Sequence, residues 1–307
     1  MKCALCIVGQ IARLELASKI KLIVNPTIYA GHELHLFLSL YSGNPKFVNK
    51  GKDIDIGPYY NHTSTQLSEI IRIATNISTI DTEIRKSPPW FLGDVKWARR
   101  MDKDPRQNVA RQQMHLSQWS QWRLLMFKIE AQEQNTSRFE IILKIRDDST
   151  VILPWIPPNL SFKGITTLQC LGHGGEMDAN FIVHRNFAWQ ILEGMSAEWY
   201  LSHSTMTPNL NPETWLRSII KKWQVPRKHV QACDLPFVST RYSKTQNSSI
   251  CIKDIHWDHL QKRCTSKAVP LFFESPKYYF KHFCCYTDLK CYNKIQSTLR
   301  NFSSLSQ

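Results

Sequence analysis

The sequence predicts an α/β fold: one domain built on a Rossmann-like mixed sheet flanked by helices. Three observations carry that prediction. Residues 139–153 form an apolar run rich in branched side chains, interrupted at Arg146-Asp147-Asp148 and resumed at Val151-Ile152-Leu153, which has the length and composition of a buried strand. Cys3 to Val8 is a second such run, and Gly9-Gln10 breaks it before a segment of helical spacing. Strand, tight turn and helix in that order open a nucleotide-binding α/β unit. Short apolar runs then alternate with helically spaced segments as far as Phe237.

In chain order, Ile11 to Val24 places Ile11, Leu14, Ala17-Ser18 and Leu22 at helical spacing, so a helix is expected there. His35–Leu40 reads as the second strand. Residues 41–61, polar and rich in Gly, Pro and Lys, read as a loop. Thr65 to Ile80 carries Leu67, Ile70, Ile71, Ala74 and Ile77, an amphipathic helix. Residues 87–105 are irregular again, with Pro88-Pro89-Trp90 and the basic Lys96–Arg100 stretch. Val109 to Gln134 is the longest helical signal. Met114, Trp119, Trp122, Met126 and Ile129 fall near one face with Gln112, Gln113, Gln118 and Gln121 beside them, and such a Trp stripe is expected to be core. Beyond the central run come short strands at Ile165–Leu171 and Phe181–Val183, a helix starting at Phe187, and another at Asn211-Pro212-Glu213. Pro and Glu suit the first turn of a helix. Gln224 to Phe237 holds one more strand. Residues 1–240 are therefore expected to be the α/β domain. Residues 241–307, basic, aromatic and Cys-rich, are expected to be an irregular extension packed on it.

Composition bounds the function. With 42% hydrophobic residues in 307, the chain can bury a substantial core. Its formal charge of +14 and pI near 9.4 suit an anionic partner, but the basic residues form no run of five or more, which weakens a nucleic-acid reading. No stretch of 18 apolar residues occurs, so no membrane span is expected. The N-terminal run reads as a strand and not a signal peptide, because Arg13, Glu15 and Lys19 follow at once. A cytoplasmic chain is expected, with its nine cysteines as thiols. Six Asn-X-Ser/Thr sequons would matter only in a secretory pathway. Cys264, Cys284, Cys285 and Cys291 lack Cys-x2-Cys spacing and are expected to be free thiols, not a zinc site. Cys3-x-x-Cys6 lies inside a strand, where core packing is expected over redox chemistry.

The chemistry-bearing residues fall at strand ends, where open α/β sheets bind ligands. Gly9 permits a turn that other residues resist, amides at the following helix start can face a phosphate, and Arg13 can meet a pyrophosphate or be solvated. Asp147 and Asp148 repel and are costly to desolvate unless something positive lies close. Arg146, a lysine, or a divalent cation carrying a phosphate would serve; the plain alternative is a strand ending in a solvated turn. The loop 172–180 is glycine-rich and carries Glu176 and Asp178, either of which suits a general base or a solvated loop carboxylate. His173 and His184 could reach a phosphate or an acceptor hydroxyl. Glu213 reads first as a helix-start charge.

Taken together, the Gly9-Gln10 turn with Arg13, the long Gln/Trp helix, the Arg146-Asp147-Asp148 strand end, the acidic loop before Phe181-Ile182-Val183 and the Asn211-Pro212-Glu213 helix resemble the GT-A-like glycosyltransferases of algae and large algal viruses. Within that group the likeness is to the chlorovirus xylosyltransferase type that builds capsid-protein glycans. It covers roughly residues 3 to 235, through short motifs in a shared order.

The resemblance implies a sugar nucleotide, a UDP-sugar with xylose as one candidate, and a glycan or glycoprotein acceptor, with inversion. Carried over, Gly9, Gln10, Arg13, Gln118, Arg146, Asp147 and Asp148 are expected at the donor. Asp178, with Glu176 as the alternative, is the expected base, and His173 and Glu213 are expected at the acceptor. Asp148 matches the last carboxylate of the family's Asp-x-Asp element, which holds a Mn or Mg ion. Arg146 stands where that element has its first carboxylate, so metal dependence stays open. Two other classes stay open as well: a nucleic-acid-binding accessory protein drawing on the positive charge, and a non-catalytic glycan-binding relative.

Overall fold

The computed structural model describes residues 1–42, 46–49, 52–55, 62–77, 79–86, 109–151, 153–158, 162–168, 175–201, 212–231, 234–243 and 249–252. The basic Lys96–Arg100 stretch, His173 and the Cys-rich segment after residue 252 lie outside the described residues.

The strands are β1 (Lys2–Gln10), β2 (Glu33–Tyr41), β3 (Lys46–Asn49), β4 (Lys52–Asp55), β5 (Thr79–Arg85), β6 (Ile141–Arg146), β7 (Ser149–Val151), β8 (Ile165–Leu168), β9 (Phe181–His184), β10 (Arg227–Val230), β11 (Phe237–Ser243) and β12 (Ser249–Ile252). Seven of them form the main sheet in the order β10-β8-β9-β6-β1-β2-β5. β1 lies parallel to both β2 and β6, and β2 parallel to β5. β9 alone runs against its neighbours β6 and β8, and β10 is parallel to β8. The C-terminal ends of β1, β2, β6, β8 and β10 therefore share one edge with the entrance to β9. A small antiparallel sheet, β12-β11-β7, continues from the end of β6. β11 runs across residue 240, so the expected domain boundary falls inside a strand.

Side-chain alternation sorts the core into two bodies, as a period of two requires of strands covered on both faces. From β1, Cys3, Leu5 and Ile7 join Leu36 and Leu38 against Ile23, Val24, Leu67 and Ile71. Ala4, Cys6 and Val8 face the other way, onto Trp119, Trp122, Met126 and Ile129 of the Val109–Gln134 helix and onto Trp215 and Ile219 of the Pro212–Lys222 helix. The Trp stripe is thus core, and burying each such side chain stabilises the fold by roughly 1.5–3 kcal/mol. Cys3 and Cys6, three apart on a strand, point to opposite faces and cannot pair. Burial pushes the Cys3 thiol up to about 12 and raises that of Cys6 as well.

Three expectations are corrected. The helix foreseen over Ile11–Val24 is a 3-10 turn, Ile11–Arg13, followed by a helical run over 17–29 with a π turn at Ile20–Val24. The chain is diverted because Glu15 N donates to Asp147 O (2.9 Å). The run tolerates Pro26 because the Leu22 carbonyl, which Pro26 cannot serve, accepts instead from Trp155 N at 2.7 Å. The helix foreseen to Ile80 stops at Ala74, and Thr79–Arg85 is an edge strand whose charged alternation concealed it. Its start is set by a capping box, Thr63 with Gln66. The loop foreseen over 41–61 contains the β3–β4 hairpin. Among the described residues no helix is long and apolar enough to cross a membrane.

Candidate active site

The ends of β1, β2 and β6 meet the entrance of β9 at one edge, and the polar residues gather there. Gly9 has φ of +138°, and a Cβ on it would stand 2.2 Å from Cγ of Asp147. Only glycine fits that close approach. Asp147 is fully buried. Its Oδ2 accepts from Gln10 N (2.8 Å) and Arg13 Nε (2.7 Å), while Oδ1 accepts from Arg13 Nη2 at 3.0 Å. Asp147 N donates to Val8 O at 2.8 Å. This carboxylate clamps the β1 turn onto β6 and faces inward.

Asp148 is also buried, 2% exposed, yet it faces the other way. Its Oδ2 accepts from Arg146 Nη2 at 2.9 Å and lies 3.7 Å from Arg13 Nη1. Arg13 thus bridges both carboxylates, and the side chains of Arg13 and Arg146 are 13% and 18% exposed. Tyr41, at the end of β2, accepts a hydrogen bond from Gln10 Nε2 (2.9 Å); burial raises its pKa, against the charge of Arg13. Lys19, wholly buried in the 17–29 run, donates to the carbonyls of Asp147 (3.1 Å) and Ser149. Burial lowers its pKa, opposed by Glu15 and Asp147.

On the β9 side, the Asp178 carboxylate is 7% exposed and accepts from Gln118 Nε2 at 3.3 Å. Asn180 links it to β6, its Oδ1 accepting from Arg146 N (3.2 Å) and Ser149 Oγ (2.8 Å). Gln121 Nε2 reaches the carbonyls of Gly9 (3.4 Å) and Ser39 (3.3 Å), tying the long helix to β1 and β2. One edge therefore brings together Gly9, Gln10, Arg13, Gln118, Arg146, Asp147, Asp148 and Asp178.

Glu176 and Glu213 belong to a different group. Glu176 accepts from Thr167 Oγ1 (3.0 Å) and Arg227 Nη1 (2.8 Å), and pairs with His229 Nε2 at 2.7 Å. Arg217 Nε stands 3.6 Å away. Burial raises the Glu176 carboxyl, but the hydrogen bonds from His229 and Thr167 and the charges of His229 and Arg227 outweigh it, so its pKa falls below the ordinary value. This carboxylate anchors the loop to β8 and β10. The Glu213 backbone carbonyl accepts from Glu176 N at 2.9 Å. His184 ends the antiparallel β9, which puts it at the opposite edge of the sheet, where its Nδ1 accepts from Asn186 N at 3.2 Å.

A divalent cation does not fit these residues as they stand. Asp147 is turned inward, and Asp148 is held between two guanidinium groups that would repel an ion. Among the described residues no three His, Cys, Asp or Glu side chains gather in a metal-holding group.

Sequence reasoning overlooked Asn180 and Lys144. The signal for Lys144 was available, as a lysine in the middle of an apolar strand run demands a buried partner. Asn180 left none, since its role depends on β9 pairing with β6. Compared with known proteins, the chain matches no family model and no curated protein sequence.

Proposed function

We propose that this chain is a GT-A-like glycosyltransferase that moves a sugar, with xylose as the candidate, from a UDP-sugar to a hydroxyl of a glycan or glycoprotein, with inversion. The observation that carries the reading is the edge itself: Arg13 and Arg146 lie with Asp148 at the ends of β1 and β6, and Asn180 ties that strand end to the segment bearing Asp178. The mixed, Rossmann-like sheet and its small antiparallel companion accord with such a domain, as does the strand-end position of the cluster.

The chemistry follows from the groups present. Arg13 and Arg146 supply positive charge for the diphosphate as the bond from the anomeric carbon to its oxygen breaks. The acceptor oxygen attacks the opposite face of that carbon, forming the new glycosidic bond. Asp178 takes the acceptor's proton, and UDP leaves with the bond's electron pair. Gln118 holds the Asp178 carboxylate, and Gly9, Gln10 and Tyr41 shape the donor side. No step is assigned to a metal.

The test is a panel of UDP-sugars with glycan acceptors, read by UDP release and product mass, alongside calorimetry with UDP. UDP binding and transfer from one sugar support the reading. Absence of both, together with tight, salt-sensitive binding of oligonucleotides, would replace it with a nucleic-acid-binding function. UDP or glycan binding without any turnover would indicate a non-catalytic relative.

A further inference from the structure

Lys144 stands in the middle of β6, paired with Cys6 of β1 on one side and Phe181 of β9 on the other. Strand alternation turns it, with Ile142 and Arg146, toward the face packed by the long helix, where Cys6, Phe181 and Trp122 are its close neighbours. It is fully buried. Its ammonium sits 4.2 Å from the centre of the Trp122 ring and 5.5 Å from that of Phe181. Nζ donates to two successive backbone carbonyls, Asp178 at 2.6 Å and Ala179 at 2.9 Å. An ammonium carries three donors and no acceptor, and here two are committed to the segment that carries the Asp178 carboxylate.

A buried charge is costly, and apolar residues would fill this face at lower cost. What an ammonium provides that they cannot is a directional grip on main-chain carbonyls, strengthened by low polarity and by the Trp122 face. The segment has no regular structure of its own between Gly175 and β9. Glu176 ties its start to β8 and β10, while Lys144 from below and Asn180 from the side hold the part that carries Asp178.

We propose that Lys144 is the positioning residue of Asp178, a buried ammonium that fixes the backbone of residues 178–179 so that the carboxylate meets the acceptor hydroxyl. The inference rests on the glycosyltransferase reading for its consequence, but the grip itself is a property of the chain. Titratable groups facing the ammonium are Asp178, Arg146, Asp147 and Cys6. Burial brings its pKa down to about 7, with the Asp178 charge opposing the fall and Arg146 adding to it. The grip therefore loses its charge assistance near neutral pH.

The decisive variant is Lys144→Met in the full chain, which keeps the apolar stem on Trp122. Backbone hydrogen exchange over residues 178–183 is expected to speed up at least tenfold, with exchange in β1 unchanged. UDP affinity should stay within about twofold while kcat for transfer falls about a hundredfold, the range of a misplaced general base. The wild-type fall in kcat above about pH 7, corrected for the other groups, should be absent from the variant. Unchanged exchange over 178–183 overturns the proposal, as does an equal loss of UDP affinity and kcat. Should Lys144→Met fail to fold, wild-type protein answers instead: protection of 178–183, corrected for intrinsic exchange, must drop relative to β1 between about pH 6 and 8, and a constant ratio overturns the proposal. A wild type that neither binds UDP nor transfers sugar sinks the functional reading alone, and the exchange measurement still decides the role of Lys144.

Discussion

Gly9 and Asp147 touch through the space a side chain would fill: a Cβ on Gly9 would lie 2.2 Å from the Asp147 carboxylate carbon. That approach lets the Asp147 carboxylate receive Gln10 N and Arg13 together, and so holds the first strand's turn against the central strand's end. Two neighbouring carboxylates thereby acquire separate tasks, Asp147 inside the fold and Asp148 at the edge.

Gly9→Ala should lower the unfolding free energy by about 2 kcal/mol or more, combining overpacking with a backbone angle that L-residues resist. Gly31→Ala is the control. Gly31 also has positive φ, +77°, but nothing lies within 4 Å of its would-be Cβ, so only the conformational cost of about 1 kcal/mol remains. Denaturant titration of the two variants separates collision from strain, and equal losses would show that Asp147 is not in the way.

Asp147→Asn should cost about 3 kcal/mol of stability, because it leaves Arg13 short of its buried partner. Arg146→Gln should cost about 1–3 kcal/mol, because it removes the 2.9 Å guanidinium partner of the buried Asp148 carboxylate, and weaken UDP at least tenfold. The wild-type UDP affinity should change by less than about threefold between Mn²⁺ and excess chelator, since Asp148 is held by guanidinium groups. A gain above tenfold with Mn²⁺ in calorimetry would mean that Asp148 exchanges Arg146 for a cation.

Asp178→Asn should keep UDP binding and lower transfer by about 10²–10⁴-fold, the contribution of a positioned base. Loss of both in parallel would make Asp178 a structural carboxylate. Glu176→Gln is the matching control, because Glu176 is engaged by Thr167, Arg227 and His229 away from the proposed chemistry.

Glu176 also predicts an acid limb of stability. Its folded pKa lies below the ordinary 4.5, so the folded state holds fewer protons than the unfolded one in that window. The stability it contributes is complete above about pH 4.5 and is lost as pH falls through the folded value. The gap in unfolding free energy between wild type and Glu176→Gln should therefore shrink on acidification below 4.5. A gap constant from pH 6 to about 3 would refute the pairing.

Lys144 predicts the opposite slope. Its folded pKa, about 7, lies below the ordinary 10.5, so between these values the unfolded chain holds more protons. Its contribution thus makes the protein more stable as pH rises from 7, by up to about 1 kcal/mol per pH unit. Lys144→Met should lack that rise, which denaturant titrations at pH 7 and about pH 9 will reveal. The two effects pull apart: stability improves with alkali while the grip on Asp178 weakens.

The apolar runs around β1, β2 and β6 were legible because a strand buried on both faces has few polar positions to blur its signal. β5 was not, since an edge strand with Asp81, Glu83 and Arg85 exposes charge at alternate positions and reads as nothing in particular. The break after Arg13 was hidden because its cause, the Asp147 carbonyl, lies more than a hundred residues away. At the edge, the residue types were visible but their division of labour was not. Asp147 and Asp148 are adjacent and chemically identical, and only the turn after β6 points one inward to Gly9 and the other to Arg146. Glu176 and Asp178, two apart on an irregular segment, are separated in the same way, one to β10 and one to Gln118.

By itself, then, the sequence determined an α/β sheet with polar residues at its strand ends, because periodicity and side-chain type are local properties that survive without knowledge of neighbours. The tertiary structure alone decided which carboxylates face the edge, that β9 enters antiparallel and delivers Asn180 and Asp178 there, and that Lys144 grips the carbonyls of Asp178 and Ala179 from beneath. Those are pairings between distant segments, and their hydrogen bonds exist only once the sheet has set the register.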